Sequence, residues 1–262
     1  MTYTLITLVK ADGLATLTLS QPEKLNAVSR KMIAEIKTAW EDIAADSAVR
    51  AVLLTGAGRG FCAGADLADP DRDNGATADS GAALEKFFNP VIRTMRTLPK
   101  PIVAAVNGVA AGVGMSFALA ADIAVAGKSA SFLQAFARIG LLPDGGSTWF
   151  LPRLVGDARA RALTMLAPQI KAEQAKEWGL IWDVVEDADL MKTATDLARR
   201  LADGPTLSLA RIKEALNRAS GNDLSTQLDV ERDFQRELGK SEDFREGVQA
   251  FLAKRKANFK GK

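Results

Sequence analysis

Ile102-Val103-Ala104-Ala105-Val106-Asn107-Gly108-Val109-Ala110-Ala111-Gly112-Val113-Gly114-Met115 is the stretch that decides the fold. Its first five residues are small or β-branched and apolar, and Pro99 and Pro101 bracket their start, so they read as a strand buried on both faces. Asn107 to Gly114 then form a glycine-rich turn. Met115 to Ala121 reads as a helix and Ile123 to Ala126 as the next short strand. Strand, turn, helix and strand in so short a span indicate an α/β core.

The text upstream agrees. Leu5 to Val9 and the alternating Leu14 to Leu19 read as strands joined by a turn at Ala11-Asp12-Gly13. Ser29 is placed to cap a helix running to about Ala45, with Met32, Ile33, Ile36, Trp40 and Ile43 on one face. Ala51 to Gly56 is an apolar strand, residues 68–82 a polar loop without period, and Ala83 to Leu98 a helix. From about residue 157 the text turns helical: Asp157–Leu166, Ala172–Trp178, Leu190–Asp203, Leu207–Ala219 and Leu224–Lys254. The expected organisation is an α/β core over residues 1–200 and a helical C-terminal region over 201–262.

Three glycine-bearing segments carry groups suited to chemistry. Phe61-Cys62-Ala63-Gly64-Ala65-Asp66-Leu67 follows a strand, and a free N–H at such a turn can bind an oxygen that becomes negative. An ordinary tight turn would look the same. Asn107 to Met115 leads into a helix start, whose unpaired N–H groups suit an oxyanion or a phosphate. It fails the dinucleotide fingerprint, because Phe117 stands where the third glycine belongs. Together the two segments can offer two donors to one carbonyl oxygen. In Gly140-Leu141-Leu142-Pro143-Asp144-Gly145-Gly146-Ser147-Thr148-Trp149, Asp144 is either a turn residue or a carboxylate in an apolar setting, where its pKa rises and it becomes a useful base.

Composition narrows the chemistry. The 262 residues include no histidine and one cysteine, Cys62, which removes His-activated nucleophiles, His ligands, Cys-rich zinc sites and intrachain disulfides. Cys62 is expected to be a small packed residue. The formal charge of +2, from 34 basic and 32 acidic residues, does not suggest a nucleic-acid partner. Lys254, Arg255, Lys256, Lys260 and Lys262 make the C-terminus basic, either a solvated tail or a dock for phosphate groups. The opening MTYTLITLVKADG lacks a secretory signal's basic start and long apolar core, and no apolar run reaches the ~18 residues a membrane span needs. A cytoplasmic location and no membrane association are expected.

In their order, FCAGADL, NGVAAGVG, IGLLPDGGSTWFLPRLVG and Glu173-Gln174-Ala175-Lys176-Glu177-Trp178-Gly179-Leu180 resemble the crotonase, or enoyl-CoA hydratase/isomerase, superfamily over nearly the whole chain. The resemblance implies a spiral of ββα repeats with C-terminal helices that form a homotrimer or a dimer of trimers. It implies an acyl-CoA thioester as substrate, coenzyme A being part of that substrate, and no metal or other cofactor. It implies an oxyanion hole of the Ala65 and Val113 N–H groups. Coenzyme A would lie along Lys24, Asn26, Ala27, Ala63, Asp66 and Leu67, with Phe259 and Lys260 added by a neighbouring subunit. A turn-bonding role is the competing account of Asp66.

The departures from the superfamily pattern are informative. The two glutamates that activate water in typical hydratases correspond here to Ser116 and Phe136. Asp144 remains, at a position used by a dehalogenase that also needs histidine and by isomerases of bacterial aerobic phenylacetate degradation. The text is most similar to those isomerases, for example at Glu85-Lys86-Phe87-Phe88-Asn89-Pro90 and Trp178-Gly179-Leu180-Ile181-Trp182. They convert ring-1,2-epoxyphenylacetyl-CoA to its oxepin form. The expected function is therefore isomerisation of that ester, of 3-enoyl-CoA to 2-enoyl-CoA, or of both, with Asp144 as the base. The alternatives are a hydratase with an atypical site and a non-catalytic acyl-CoA binder. Phe87, Phe88, Phe136, Trp149 and the loop from Ala68 to Ala83 are expected to shape the acyl pocket, while Glu85, Asp122 and Glu231 cannot be placed from sequence.

Overall fold

A computed structural model describes residues 3–71 and 79–262; the part of the expected polar loop at 72–78 lies outside the described residues. Strands β1 (Ile6–Ala11) and β2 (Leu14–Leu19) form an antiparallel hairpin. Its turn residues Asp12 and Gly13 both have positive φ, 51° and 77°, the backbone a two-residue hairpin turn requires. Helix α1 (Arg30–Ala45) starts where the sequence places it, with the Ser29 side chain accepting from the Met32 N–H at 3.1 Å. Its buried face is Met32, Ile33, Ile36, Ala39, Trp40 and Ile43.

The chain then winds. β3 (Ala51–Gly56) is followed by β4 (Gly60–Cys62), α2 (Ser80–Ala83), a π-helical turn (Leu84–Phe88) and α3 (Asn89–Thr97). The next winding is β5 (Ile102–Val106), β6 (Val109–Ala111) and α4 (Val113–Ala120); β7 (Ile123–Gly127) and β8 (Ser131–Leu133) begin the one after. The first strand of each pair joins a six-stranded sheet ordered β1-β2-β3-β5-β7-β10, and the second joins a four-stranded sheet ordered β4-β6-β8-β9. This is the expected spiral of ββα turns. The helix expected at 83–98 spans the same region but widens at Leu84–Phe88. Pro90 has no N–H for the carbonyl of Lys86, which accounts for the widening.

α5 (Ser147–Val155), α6 (Asp157–Met165), β9 (Gln169–Lys171), α7 (Ala172–Glu177) and β10 (Asp183–Val185) close the two sheets, and α8 (Leu190–Ala202) covers the larger one. Alternate residues of the central strands serve two cores. Val52, Leu54, Ile102, Ala104 and Val106 pack towards α1 and α3. Ala51, Leu53, Val103 and Ala105 pack on the Leu190, Ala194, Ala198 and Ala202 stripe of α8. The Ala-rich strands suit this arrangement, since both faces are filled by helices that approach closely.

The C-terminal text forms α9 (Thr206–Ala219), α10 (Leu224–Leu238) and α11 (Glu242–Leu252). The single helix expected over 224–254 is broken at Gly239-Lys240-Ser241, and Ser241 caps α11 by accepting from the Phe244 N–H at 3.0 Å. Lys213 of α9 pins this region to the core: its ammonium donates to Asp122 at 2.9 Å and to the carbonyl of Met95 at 2.7 Å. No helix of the described residues is long and apolar enough to cross a membrane.

Candidate active site

Ala65 follows β4 and the turn at Gly64, whose φ is +104°. It lies opposite Val28 in an isolated parallel bridge. The bridge is held by the groups flanking Ala65: Val28 N–H donates to Gly64 O at 2.7 Å and Asp66 N–H to Val28 O at 3.0 Å. In a parallel bridge the N–H of the residue between points away from the partner strand. Among the described residues the Ala65 N–H has no acceptor.

Val113 is the first residue of α4, so its N–H falls outside the helical ladder, and it too has no acceptor among the described residues. The preceding Gly112 has φ +51°, which only glycine adopts cheaply. The two donor loops pack against each other. A Cβ on Gly64 would sit 3.1 Å from Ala111 O and one on Gly112 only 3.8 Å from Gly64 Cα. A side chain at Gly64 would press on the Ala111 carbonyl, whereas at Gly112 the contact is ordinary and the obstacle to a side chain is the positive φ.

Both loops line a cavity of about 450 Å³ whose walls include Val28, Leu84, Phe88, Phe136, Leu141 and Asp144. One carboxylate oxygen of Asp144, Oδ1, is buried there without a hydrogen-bond partner among the described residues. Burial pushes the Asp144 carboxyl up to about 6. The other acids that line this cavity among the described residues are engaged. Asp66 pairs with Lys24 at 2.7 Å and accepts from Ala68 N–H at 3.0 Å. Asp69 accepts from Arg30 N–H and Asp71 N–H, and Asp79 caps α2 at Ala82 N–H. Asp144 thus differs from them in holding, among the described residues, an unsatisfied oxygen beside apolar walls, although its backbone also closes a turn through Ser147 N–H at 3.1 Å.

The proposed coenzyme A residues divide. Ala63, Asp66 and Leu67 line the cavity. Lys24 reaches its edge through the ion pair with Asp66, which holds the Asp66 carboxyl below the usual range. The Asn26 side chain is fully buried and spent on Gln21 N–H, Ala57 O and Gly60 O, so it shapes the loop, and Ala27 lies beside it. Phe259 and Lys260 of this chain do not reach the cavity. The tail folds onto α11, where Asp243 accepts from the Lys260 and Gly261 N–H groups, and Phe259 lines a second cavity of about 530 Å³ among the C-terminal helices.

Phe88 and Phe136 line the acyl cavity as expected, but Trp149 and Phe87 do not. Trp149 is 40% exposed with the Arg153 guanidinium 4.1 Å above its ring, and Arg30 lies 4.4 Å over Phe87. Glu85 is engaged by Arg93 and Asn89, Asp122 by Lys213 and Ile102 N–H, and Glu231 is exposed on α10. Cys62 is buried, its thiol pushed up to about 12 by loss of solvation, which fits packing rather than nucleophilic attack. Sequence reading missed Arg30, Leu84 and Ile139 as cavity residues. Leu84 had no signal beyond its place in an apolar helix; Arg30 carried one, as a cation at the start of α1.

Residues 10–262 match the family model described as enoyl-CoA hydratase/isomerase. The chain is 53% identical to the 1,2-epoxyphenylacetyl-CoA isomerase of Escherichia coli (strain K12), over 95% of this chain and 96% of that protein. It is 36% identical to the short-chain-enoyl-CoA hydratase of Clostridium acetobutylicum, over 96% of this chain and 95% of that one. The crystal structure of an enoyl-CoA hydratase from Polaromonas sp. JS666 superposes with a TM-score of 0.90 at 35% identity, covering 97% of this chain and 99% of that one. The fold is the crotonase fold that the sequence motifs imply, and the chain belongs to the enoyl-CoA hydratase/isomerase family.

Proposed function

We propose that this protein isomerises acyl-CoA thioesters with one aspartate and two backbone donors. The observation that carries the reading is the buried, unpartnered Asp144 Oδ1 in the same cavity as the acceptor-free N–H groups of Ala65 and Val113. The thioester oxygen accepts from both donors. As an enolate develops, each donor stabilises its charge by about 3 kcal/mol. Asp144, ionised above pH 6 or so, takes the proton from C2 of a 3-enoyl-CoA. The electron pair moves into the thioester, and return of the same proton at C4 leaves the conjugated 2-enoyl-CoA. One carboxyl serves both transfers, so the scheme asks for no second acid and no metal or redox cofactor.

The similarity to the Escherichia coli isomerase supports ring-1,2-epoxyphenylacetyl-CoA as a substrate of this chain as well. With that ester the same oxyanion stabilisation would assist epoxide opening and expansion of the ring to the oxepin. The apolar walls, with Phe88 and Phe136 among them, suit an aromatic or alicyclic acyl group. In this reading coenzyme A runs along the loops Leu25–Val28 and Ala63–Leu67. A cytoplasmic homotrimer or dimer of trimers would let the Phe259 and Lys260 of a neighbouring subunit complete its site. Turnover assays with the epoxide ester, a 3-enoyl-CoA and crotonyl-CoA test the reading. Isomerisation of either of the first two supports it, whereas efficient hydration of crotonyl-CoA with no isomerisation contradicts it.

A further inference from the structure

We propose that Ser116 is a positioning residue, its hydroxyl tying the loop that carries Asp144 to the helix that carries the Val113 donor. The proposal rests on the function proposed above. Ser116 lies three residues after Val113 on α4, so the two share a helix face, and every residue of that helix is buried. Its Oγ donates to the carbonyl of Asp144 at 3.0 Å. Ser147 Oγ lies 2.8 Å from Ser116 Oγ, and Gln134 Nε2 donates to Ser147 Oγ at 2.8 Å. With Gln134 donating to Ser147, the Ser147 hydroxyl is free to donate to Ser116, which leaves the Ser116 proton for the Asp144 carbonyl at 3.0 Å or the more distant Gly112 carbonyl at 3.3 Å. The Ser147 N–H donates to the same carbonyl at 3.1 Å.

The three side chains of this relay are at most 1% exposed, so water does not compete for them. Gly145 completes the clamp. Its φ is +58°, and a Cβ there would fall 2.7 Å from Ser116 Cβ, so backbone lies directly on the serine. Asp144 therefore enters the cavity on a turn fixed from α4 and from α5, and the distance between base and oxyanion donor is set through one helix. Catalysis by a positioned base is sensitive to this distance, a displacement of ~1 Å costing on the order of a hundredfold. The same clamp keeps the carboxyl in its apolar enclosure. Burial is the cause of its raised pKa, and among the described residues the cavity's other charged groups are Arg30 on α1, Asp66 and Asp69 after β4, and Asp79 before α2.

The test is Ser116→Ala, with two readouts. The first is steady-state turnover of a 3-enoyl-CoA. The second is titration of the Asp144 carboxyl by NMR of aspartate-labelled protein, with Asp144→Asn assigning the signal. The expected result is a fall in kcat of about tenfold or more with KM within about twofold. The Asp144 midpoint should also move down from about 6 towards the solvated value of ~3.9. An unchanged midpoint overturns the proposal, whether kcat is unchanged or falls with a matching loss of binding. If Ser116→Ala does not fold, Ser147→Ala decides in its place, with the same directions expected and the same unchanged midpoint as contradiction. If the wild-type protein turns over none of the esters, the functional reading has failed, and the titration still decides the role of Ser116.

Discussion

A Cβ on Gly114 would fall 2.2 Å from the carbonyl oxygen of Cys62. The first turn of α4 thus lies directly on β4, and this contact sets the Val113 donor beside the loop that carries Ala65. Gly114→Ala must push α4 off the strand. Overpacking of this kind costs up to about 3 kcal/mol. The expected outcome is a folded but less stable protein, measured by urea denaturation, whose isomerase kcat falls more than its KM rises. Unchanged stability and activity would contradict this account of the donor geometry.

The buried Asp144 makes stability depend on pH. Its carboxyl is raised to about 6, above the ~3.9 of a solvated aspartate. Between these values the unfolded chain has lost its proton while the folded protein still holds it, so stability present at pH 4 is lost as pH rises to about 6. The gap corresponds to roughly 3 kcal/mol at full effect. Asp144→Asn carries no charge to desolvate. It should therefore be more stable than wild type at pH 8 by about 1 to 2 kcal/mol, the rest being offset by unmet hydrogen bonds of the amide. Urea melts at pH 4 and pH 8 check this, and a mutant effect identical at both pH values would contradict it.

The same ionisation governs turnover. The base form of Asp144 is required, so kcat/KM, which reports the free enzyme, should rise with pH and reach half its plateau near pH 6, the value of the buried carboxyl. A pH profile between 4.5 and 8 measures it. A midpoint near ~4 would mean a solvated carboxylate rather than this one.

Lys213 offers a prediction away from the site. Its ammonium is buried against Asp122 and two carbonyls, and burial holds its pKa below the ordinary lysine value. Lys213→Met leaves Asp122 without its cation, holding only the Ile102 N–H, and takes the lysine donor from those carbonyls. Breaking such a pair costs about 3 kcal/mol. The expected result is a lower denaturation midpoint with kcat nearly unchanged, because the pair lies outside the acyl cavity.

Much of the fold was legible because several elements carry strong local signals. Ser29 fixes the start of α1, and the apolar runs Ala51–Gly56 and Ile102–Val106 fix two neighbouring strands of the large sheet. The four-stranded sheet was not legible. β4, β6, β8 and β9 have three residues each, too few to show a period, and long-range pairing makes them strands. At the site, the glycine turns and Asp144 could be read as candidates from their chemistry. The clamp of Ser116, Ser147 and Gln134 could not, since it joins three elements through contacts that no spacing reveals. Trp149 misled for a related reason: an aromatic beside Asp144 in sequence faces Arg153 and solvent in space.

The most direct measurement is the rate at which Asp144→Asn converts a 3-enoyl-CoA to the conjugated 2-enoyl-CoA at pH 7.5, beside wild type. The variant keeps the shape of the side chain and the backbone donors while losing the base. The account predicts a fall in kcat of about a thousandfold with KM changed by less than about threefold. A variant retaining more than about a tenth of wild-type kcat would contradict the single-aspartate mechanism.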